Sequence, residues 1–164
     1  MLAKSAENYG ELQIPAGHDR FGDNELKIWG QLPLSIKLSA QDTNGAYLAF
    51  EHRDMRGGGP PRHVHFDQDE WFYVVKGEFA FEVGDKQYRL GQGESLFAPR
   101  KIQHGWAHLG EQPGTLITIV SPVGSFENFI LDTTRHASLP SHEEVEKAFA
   151  DHGMKLLGPP LSSV

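Results

Sequence analysis

Two histidines and a glutamate near the middle of the chain have the types and spacing to bind a metal ion. His63 and His65 are one residue apart, and Glu70 follows after the segment FDQD. Side chains alternate faces along a β-strand, so both imidazoles project the same way if this stretch is extended, as Pro61 favours. A turn at FDQD would then return Glu70 beside them from the next strand.

Imidazole and carboxylate ligands together suit zinc, iron, nickel, copper or manganese. The alternative is that the HxH pair arose by chance, as a polar turn ahead of an ordinary strand, in a chain with nine histidines. The chain has no cysteine, which excludes disulfides, thiolate zinc sites and cysteine nucleophiles. Any metal here would have nitrogen and oxygen ligands.

The elements that must position these residues are short and β-rich. Glycines and prolines, 18 and 10 in number, separate segments in which apolar and polar residues alternate, and this indicates an antiparallel barrel or jelly roll. The predicted strands lie in ELKIWG, LSIKLSA, AYLAFEHRDM, EWFYVVKG, EFAFEVG, KQYRLGQG, SLFAPRK, HGWAHLG and TLITIVSPVG.

Near the C-terminus the periodicity changes. The segment SHEEVEKAFADHG predicts a helix over about 142–152, with Ser141 as N-cap, Glu144 completing a capping box and Gly153 as the stop. We expect the helix to pack on the outside of the barrel or on a second subunit.

The spacing of glycines around the first three candidate ligands resembles the first motif of the cupin superfamily, here at 57–77. Its residues, separated by five, one, four and six others, are Gly57, His63, His65, Glu70 and Gly77.

A second cupin-like motif lies at 93–108, where Gly93 and Pro99 precede His104. Two positions depart from the family pattern. Lys101 stands where the family usually has glycine, which puts the geometry of the turn in doubt, and His108 stands where it usually has asparagine. Weaker similarity in the C-terminal segment resembles small bacterial cupins described as quercetin dioxygenase-like.

The resemblance implies one all-β domain over residues 1–164, a double-stranded β-helix (jelly-roll) barrel with a short C-terminal helix. It also implies an N-terminal arm over about 1–40 and a homodimer formed through N-terminal strands. By the same resemblance, one divalent ion (Fe, Mn, Ni, Zn, Co or Cu) would be bound with open coordination positions. Its ligands would be His63, His65, Glu70 and His104.

Four further side chains are candidates for contact with a small organic substrate. Phe72 and Trp106 share strand parity with Glu70 and His104, so they would face the interior as substrate walls or simply as core. Arg62 would meet an anionic group or remain a solvated loop residue, and His108 would face the cavity or have a structural role. Trp71 and Tyr73 should face outwards, Glu82 and Asp85 should face solvent, and His52 is near enough in sequence to reach a cavity mouth.

Three functions are compatible with these residues. The first is a dioxygenase that cleaves a flavonol-like, enol or phenolic molecule with dioxygen, Glu70 acting as base. The second is a metal-dependent isomerase or lyase of a small oxygenated metabolite, in which the ion polarises a carbonyl. The third is a non-catalytic small-molecule-binding cupin.

The net charge of −7 argues against a nucleic-acid partner. Apolar stretches such as LITIV are too short to span a membrane, and the N-terminal segment has no signal-like apolar core. We therefore expect a cytoplasmic protein without a membrane partner.

Overall fold

A computed structural model describes residues 10–22 and 25–162 of the chain, and within these ranges it contains eleven strands and two helices. In chain order the elements are β1 Leu26–Ile28, β2 Leu32–Leu38, β3 Leu48–Met55, β4 Pro61–His65, β5 Asp69–Lys76, β6 Glu78–Val83, β7 Lys86–Leu90, β8 Ser95–Ala98, β9 His104–Leu109, β10 Gly114–Ser121, α1 Phe126–Thr133, α2 His142–Asp151 and β11 Met154–Pro160.

The strands form two antiparallel sheets. The first has the order β1-β2-β3-β10-β5-β8 and the second has the order β11-β4-β9-β6-β7. Sequence neighbours β4 and β5 therefore lie in different sheets, so the turn between them crosses from one sheet to the other. This is the all-β double-stranded β-helix that the sequence predicted, with the short C-terminal helix also present.

Alternation along β5 shows how the sequence specifies the interior. Phe72 and Val74 are almost fully buried, whereas Trp71 and Tyr73 are only partly buried. The rings of Trp71 and Tyr73 stack on the outer face with centroids 5.8 Å apart. The period of two thus places one apolar set in the core, as expected for a strand with one buried face.

The core has two parts, one on each side of the candidate site. One lies among the β-strands and contains Met55, Phe72, Val74, Phe79, Phe81, Leu90, Ala98, Trp106 and Leu116. The other joins the first sheet to the two helices and contains Trp29, Leu34, Ile36, Leu48, Phe50, Val120, Val123, Phe126, Phe129, Ile130, Val145, Phe149 and Met154.

Helix α2 has the predicted capping box, in which Glu144 N donates to Ser141 Oγ and Ser141 N donates to Glu144 Oε2. The helix packs on its own barrel: Phe149 contacts Phe129 and Trp29, with ring centroids 5.1 and 6.1 Å apart. The apolar face predicted from the sequence therefore contributes to the core of the same chain.

Two elements were not predicted from the sequence. Helix α1 is short, and its N-cap Ser125 makes no side-chain capping bond, so it has no local start signal. Strand β11 contains Pro159 and Pro160, and proline is unusual within a strand. The strand lies at the edge of its sheet and pairs only with β4, so its prolines need not donate to a second neighbour.

The predicted N-terminal arm lies only partly within the described residues. Residues 1–9 and 23–24 fall outside them, whereas β1 and β2 pair with each other and β2 pairs with β3 of the same chain. Asp19 connects the preceding segment to the sheet because its Oδ2 accepts from Ile36 N at 2.6 Å. The homodimer stays a prediction.

Candidate metal centre

Both sheets contribute to a compact cluster of potential metal ligands. His63 and His65 come from β4, His104 from the neighbouring β9, and Glu70 from β5 of the opposite sheet. All four side chains are buried, and one ligand atom from each lies within 4.8 Å of the others. The structure therefore brings together the four residues that the sequence singled out as ligands.

Strand pairing explains why residues distant in sequence meet. His63 and His104 are direct partners in the β4–β9 register, with ring centroids 4.6 Å apart. Because His65 lies two residues further along β4, it shares the face of His63, and its ring stacks parallel to His104 at 5.5 Å. The turn FDQD crosses to the other sheet and returns Glu70 to the cluster, as predicted.

Each imidazole is oriented through its Nδ1 atom. His63 Nδ1 donates to Pro61 O at 2.7 Å, and His104 Nδ1 donates to Ile102 O at 3.1 Å. For His65 the acceptor is a side chain, since Nδ1 lies 3.4 Å from Oε1 of buried Gln68. Carbonyl oxygens only accept, so Nδ1 carries a proton in each ring, and in the neutral rings of His63 and His65 the Nε2 lone pair faces the cluster.

The electrostatics of the ion-free cluster favour neutral imidazoles at His63 and His65. Burial lowers the pKa of His63 to about 3, helped by the neighbouring imidazoles, and burial also lowers the pKa of His65. Their Nε2 atoms are 3.1 Å apart. Two lone pairs cannot hydrogen-bond to each other, so this approach requires something positive between or beside them.

Glu70 and His104 form the charged part of the cluster. Burial alone would raise the pKa of Glu70, but the electrostatic influence of the surrounding imidazoles and the hydrogen bond from His104 bring it to about 2. Burial opposes protonation of His104, yet the bond to Glu70 and its negative charge raise the pKa of His104. His104 Nε2 and Glu70 Oε2 are 2.7 Å apart, and His65 Nε2 is 3.7 Å from Glu70 Oε1.

This donor set fits a first-row divalent ion. An ion bound about 2.1 Å from each ligand atom has neighbouring ligands about 3 Å apart. The observed separations among these four groups bracket that value, at 2.7, 3.1 and 3.7 Å. An octahedral ion with these three nitrogen donors and one carboxylate would keep further positions for water or substrate.

One cavity lies at the cluster, and a larger pocket shares part of its wall. The inner one, of about 50 Å³, is bounded by His63 and Glu70 and has a largely aromatic and aliphatic wall. An outer pocket of about 870 Å³ is formed by the N-terminal strands, the glycine-rich segment before β4, and α2 with β11. Both are lined by Ile28, Leu32, Pro60, Phe129 and Phe149.

The two aromatic candidates occupy different positions. Trp106 lines the inner cavity and packs against His52, with ring centroids 4.8 Å apart. Phe72 lies behind the cluster, where its ring is 6.2 Å from His104 and 5.1 Å from Phe81. Trp106 can therefore contact a bound molecule, whereas Phe72 supports the ligand His104 from the core.

Arg62 lies outside the site, which corrects its prediction as a substrate contact. It alternates with His63 along β4 and therefore faces the other way. Its Nε and Nη2 donate to the two carboxylate oxygens of Glu82, at 2.8 and 3.2 Å. The prediction that Glu82 faces solvent is corrected by the same ion pair, which leaves the Glu82 side chain only 19% exposed.

His108 has a structural role, which is one of the two alternatives left open for it from the sequence. Gly57 N donates to its Nδ1 at 2.9 Å, and its Nε2 donates to Gln112 O at 3.0 Å. Both ring nitrogens are thus bonded to backbone groups. This histidine joins the glycine-rich segment before β4 to the turn after β9.

Lys101 adopts the backbone conformation of the glycine that it replaces. Its φ is +68°, in the left-handed region, and its N donates to His65 O at 2.7 Å. The turn of the second motif therefore keeps its geometry and connects directly to a candidate ligand.

Three polar residues at the site were missed or misplaced by the sequence analysis. Gln68 orients His65, and a signal was available because ligating histidines almost always donate their second N–H. Thr118 lines the inner cavity and carried no local signal. His52, expected at most to reach a cavity mouth, is buried and lines the same inner cavity.

Comparison with known proteins agrees with this fold. Residues 51–120 match the model of the cupin domain. An RmlC-like cupin from Shewanella frigidimarina is 28% identical, with a TM-score of 0.50, over 64% of this chain and 90% of that one. KdgF from Halomonas sp. shares the fold, with a TM-score of 0.56 and 24% identity over 69% of this chain and 94% of that one. These similarities agree with the double-stranded β-helix of the described residues.

Two curated proteins are also similar in sequence. An oxidoreductase of Arthrobotrys oligospora is 26% identical over 81 residues, which are 48% of this chain. The chain spans only 32% of the length of that oxidoreductase. An uncharacterised protein of Streptomyces coelicolor is 28% identical over 97 residues, covering 54% of this chain and 90% of that protein. Neither helix of the described chain is long and apolar enough to cross a membrane.

Proposed function

We propose that the chain is a metal-dependent dioxygenase that acts on a small enol or phenolic molecule. The observation that carries the proposal is the buried cluster of three histidines and one glutamate bordering a cavity. The similarity to an oxidoreductase of Arthrobotrys oligospora supports redox chemistry over other uses of this donor set.

The bound ion would supply a positive centre for an anionic oxygen of the substrate and a redox partner for dioxygen. His63, His65, Glu70 and His104 would hold it. Because Glu70 lines the inner cavity, its carboxylate would be positioned to accept the proton of a substrate hydroxyl bound there. We assign Glu70 this catalytic role in addition to its role as a ligand.

The sizes of the two cavities limit where a substrate could lie. The inner cavity, of about 50 Å³, is far smaller than the roughly 300–1,000 Å³ of typical small-molecule sites, whereas the outer pocket lies within that range. A flavonol-sized body would therefore lie in the outer pocket, with only its enol or phenol end at the ion. The two spaces share wall residues, among them Phe129 and Phe149.

The proposal is tested by metal analysis and oxygen consumption on the same preparations. We expect wild-type protein loaded with iron, manganese, nickel or cobalt to bind one ion per chain and to consume oxygen with a panel of enols and phenols. His65→Ala should lose most of the metal and the oxygen uptake. His136→Ala, which removes an exposed histidine, is the matched control and should retain both.

Each outcome separates one part of the proposal. Full metal occupancy in His65→Ala would contradict the ligand assignment. Fully loaded wild-type protein that consumes no oxygen with the whole panel would contradict the dioxygenase. Substrate turnover without oxygen would instead indicate the isomerase or lyase chemistry.

A further inference from the structure

Thr118 carries a buried hydroxyl without a protein partner, which is rare in folded proteins. The residue is 1% exposed, and Oγ1 makes no hydrogen bond within the described chain. A buried hydroxyl without a partner costs stability, so such groups call for an explanation such as a bound molecule. Thr118 lines the inner cavity, so its hydroxyl is positioned for a molecule bound there.

His52 presents a second polar atom to the same cavity. Its Nδ1 is 2.7 Å from Pro33 O, and since a carbonyl only accepts, Nδ1 carries the proton. The other nitrogen, Nε2, is therefore a hydrogen-bond acceptor in the neutral ring. Packing against Phe50 and Trp106, with ring centroids 5.4 and 4.8 Å away, fixes the plane of the imidazole.

Strand register places these two residues in a row with Glu70. His52 on β3 pairs with Leu116 on β10, and Glu70 on β5 pairs with Val120 on β10. Thr118 lies midway between these partners, so it is the diagonal neighbour of both His52 and Glu70, roughly 7 Å from each across the sheet. The row leads from the metal cluster along the wall of the inner cavity.

We propose that His52 and Thr118 bind a hydroxyl group of the molecule held at the metal, and so select ligands with a hydroxyl next to the metal-binding oxygen. His52 Nε2 accepts from that hydroxyl, and the Thr118 hydroxyl donates to its oxygen. The ligand class is an α-hydroxy carbonyl, an α-hydroxy acid or the corresponding enol. This inference depends on one part of the proposed function, the bound metal ion, and does not require the dioxygenase reaction.

The charge state of His52 supports this role. Burial is the main cause that lowers its pKa, to about 4, so the ring is neutral and Nε2 remains an acceptor at neutral pH. The neighbouring Glu70 carboxylate opposes the shift without reversing it.

A pair of small acids tests the inference on the cobalt-loaded protein. Glycolate and acetate both offer a carboxylate to the ion, and glycolate adds one hydroxyl. Their dissociation constants are measured from the cobalt absorption spectrum for wild type, Thr118→Val and His52→Phe. Glycolate could also chelate the ion through its hydroxyl, but this effect would be the same in all three proteins. A difference between wild type and a variant in the glycolate-to-acetate preference therefore measures the contacts made by the substituted side chain.

We expect wild type to bind glycolate more tightly than acetate. In each variant the ratio of the acetate to the glycolate dissociation constant should fall about five- to tenfold, which corresponds to the loss of one hydrogen bond. Cobalt content should be unchanged. Thr118→Val should also have a melting temperature at least as high as wild type, because the deleted hydroxyl has no partner in the free protein. Thr133→Val is the matched control: its hydroxyl donates to Phe129 O, so stability should fall while the preference stays.

Three outcomes would overturn the inference. The first is a glycolate preference within twofold of wild type in both variants. The second is a cobalt-loaded wild type that binds neither acid or binds both equally. This result would contradict the inference but not the assignment of the metal centre. The third is a wild type that takes up no cobalt, which would remove the centre as well. If His52→Phe fails to fold, the glycolate preference of Thr118→Val alone tests the inference.

Discussion

Replacing Gln68 with leucine tests whether the protein tunes its metal affinity through the orientation of His65. Gln68 is 3% exposed, and its Oε1 is the acceptor for His65 Nδ1. Among the described ligands, the other two imidazoles donate to backbone carbonyls, which no side-chain substitution removes. Gln68 is therefore the one place where this outer support can be changed without altering a ligand.

The magnitude follows from the geometry of this contact. Loss of an outer hydrogen-bond partner lowers metal affinity by roughly 10- to 100-fold, or about 1.4–2.7 kcal/mol. The His65–Gln68 distance of 3.4 Å is long for a hydrogen bond, so the effect should lie near the lower limit. We expect Gln68→Leu to weaken binding of zinc or cobalt about tenfold at pH 7.

Competition with a chelating dye measures this affinity directly. Gln68→Glu is the conservative variant: its carboxylate accepts more strongly from His65, so its affinity should match or exceed wild type. Gln87→Leu, an exposed glutamine on β7, controls for the substitution itself. An affinity for Gln68→Leu within twofold of wild type would refute the reasoning, as would equal losses in the leucine and glutamate variants.

Two further predictions concern stability away from the ligands. Arg20 donates two hydrogen bonds to Asp42 and lowers its pKa to about 2 from 3.8, so this carboxylate stabilises the fold above pH 4. Asp42→Asn should lower the free energy of unfolding by about 1–2 kcal/mol at pH 7, and urea titrations should show the difference vanishing between pH 4 and pH 2. Lys101→Gly should raise that free energy by about 0.5–1 kcal/mol, because glycine adopts a φ of +68° without strain; a lower melting temperature would contradict this.

Sequence analysis predicted those parts of the site whose residues lie close together in the chain. The spacing of His63 and His65 on one strand, with a turn to Glu70, specifies which side chains share a face. His104 was found only through a second motif, since its pairing with His63 depends on the β4–β9 register. The strands with clear alternation were predicted within a few residues of their observed bounds.

The features that were missed depend on contacts between distant segments. β11 became a strand despite its prolines because β4 offers it an edge, and no periodicity of its own signalled this. Thr118 has its significance only because β10 lies between β3 and β5. The sequence left two roles open for each of Arg62 and His108, because their partners lie elsewhere in the chain, at Glu82 and at two backbone groups.

The two sheets divide the chemistry of the site between them. The second sheet supplies the three imidazoles, from β4 and β9, whereas the first sheet supplies the carboxylate of Glu70 and the polar pair His52 and Thr118. A molecule bound at the ion would therefore lie with its metal-binding atom towards the histidine sheet and its hydroxyl towards the other. Because Phe129 and Phe149 line both cavities, the rest of the molecule would extend past them into the outer pocket. If the proposal holds, the sheet that supplies each polar group sets the orientation of the bound molecule, and changes at His52 should alter ligand choice without altering metal content.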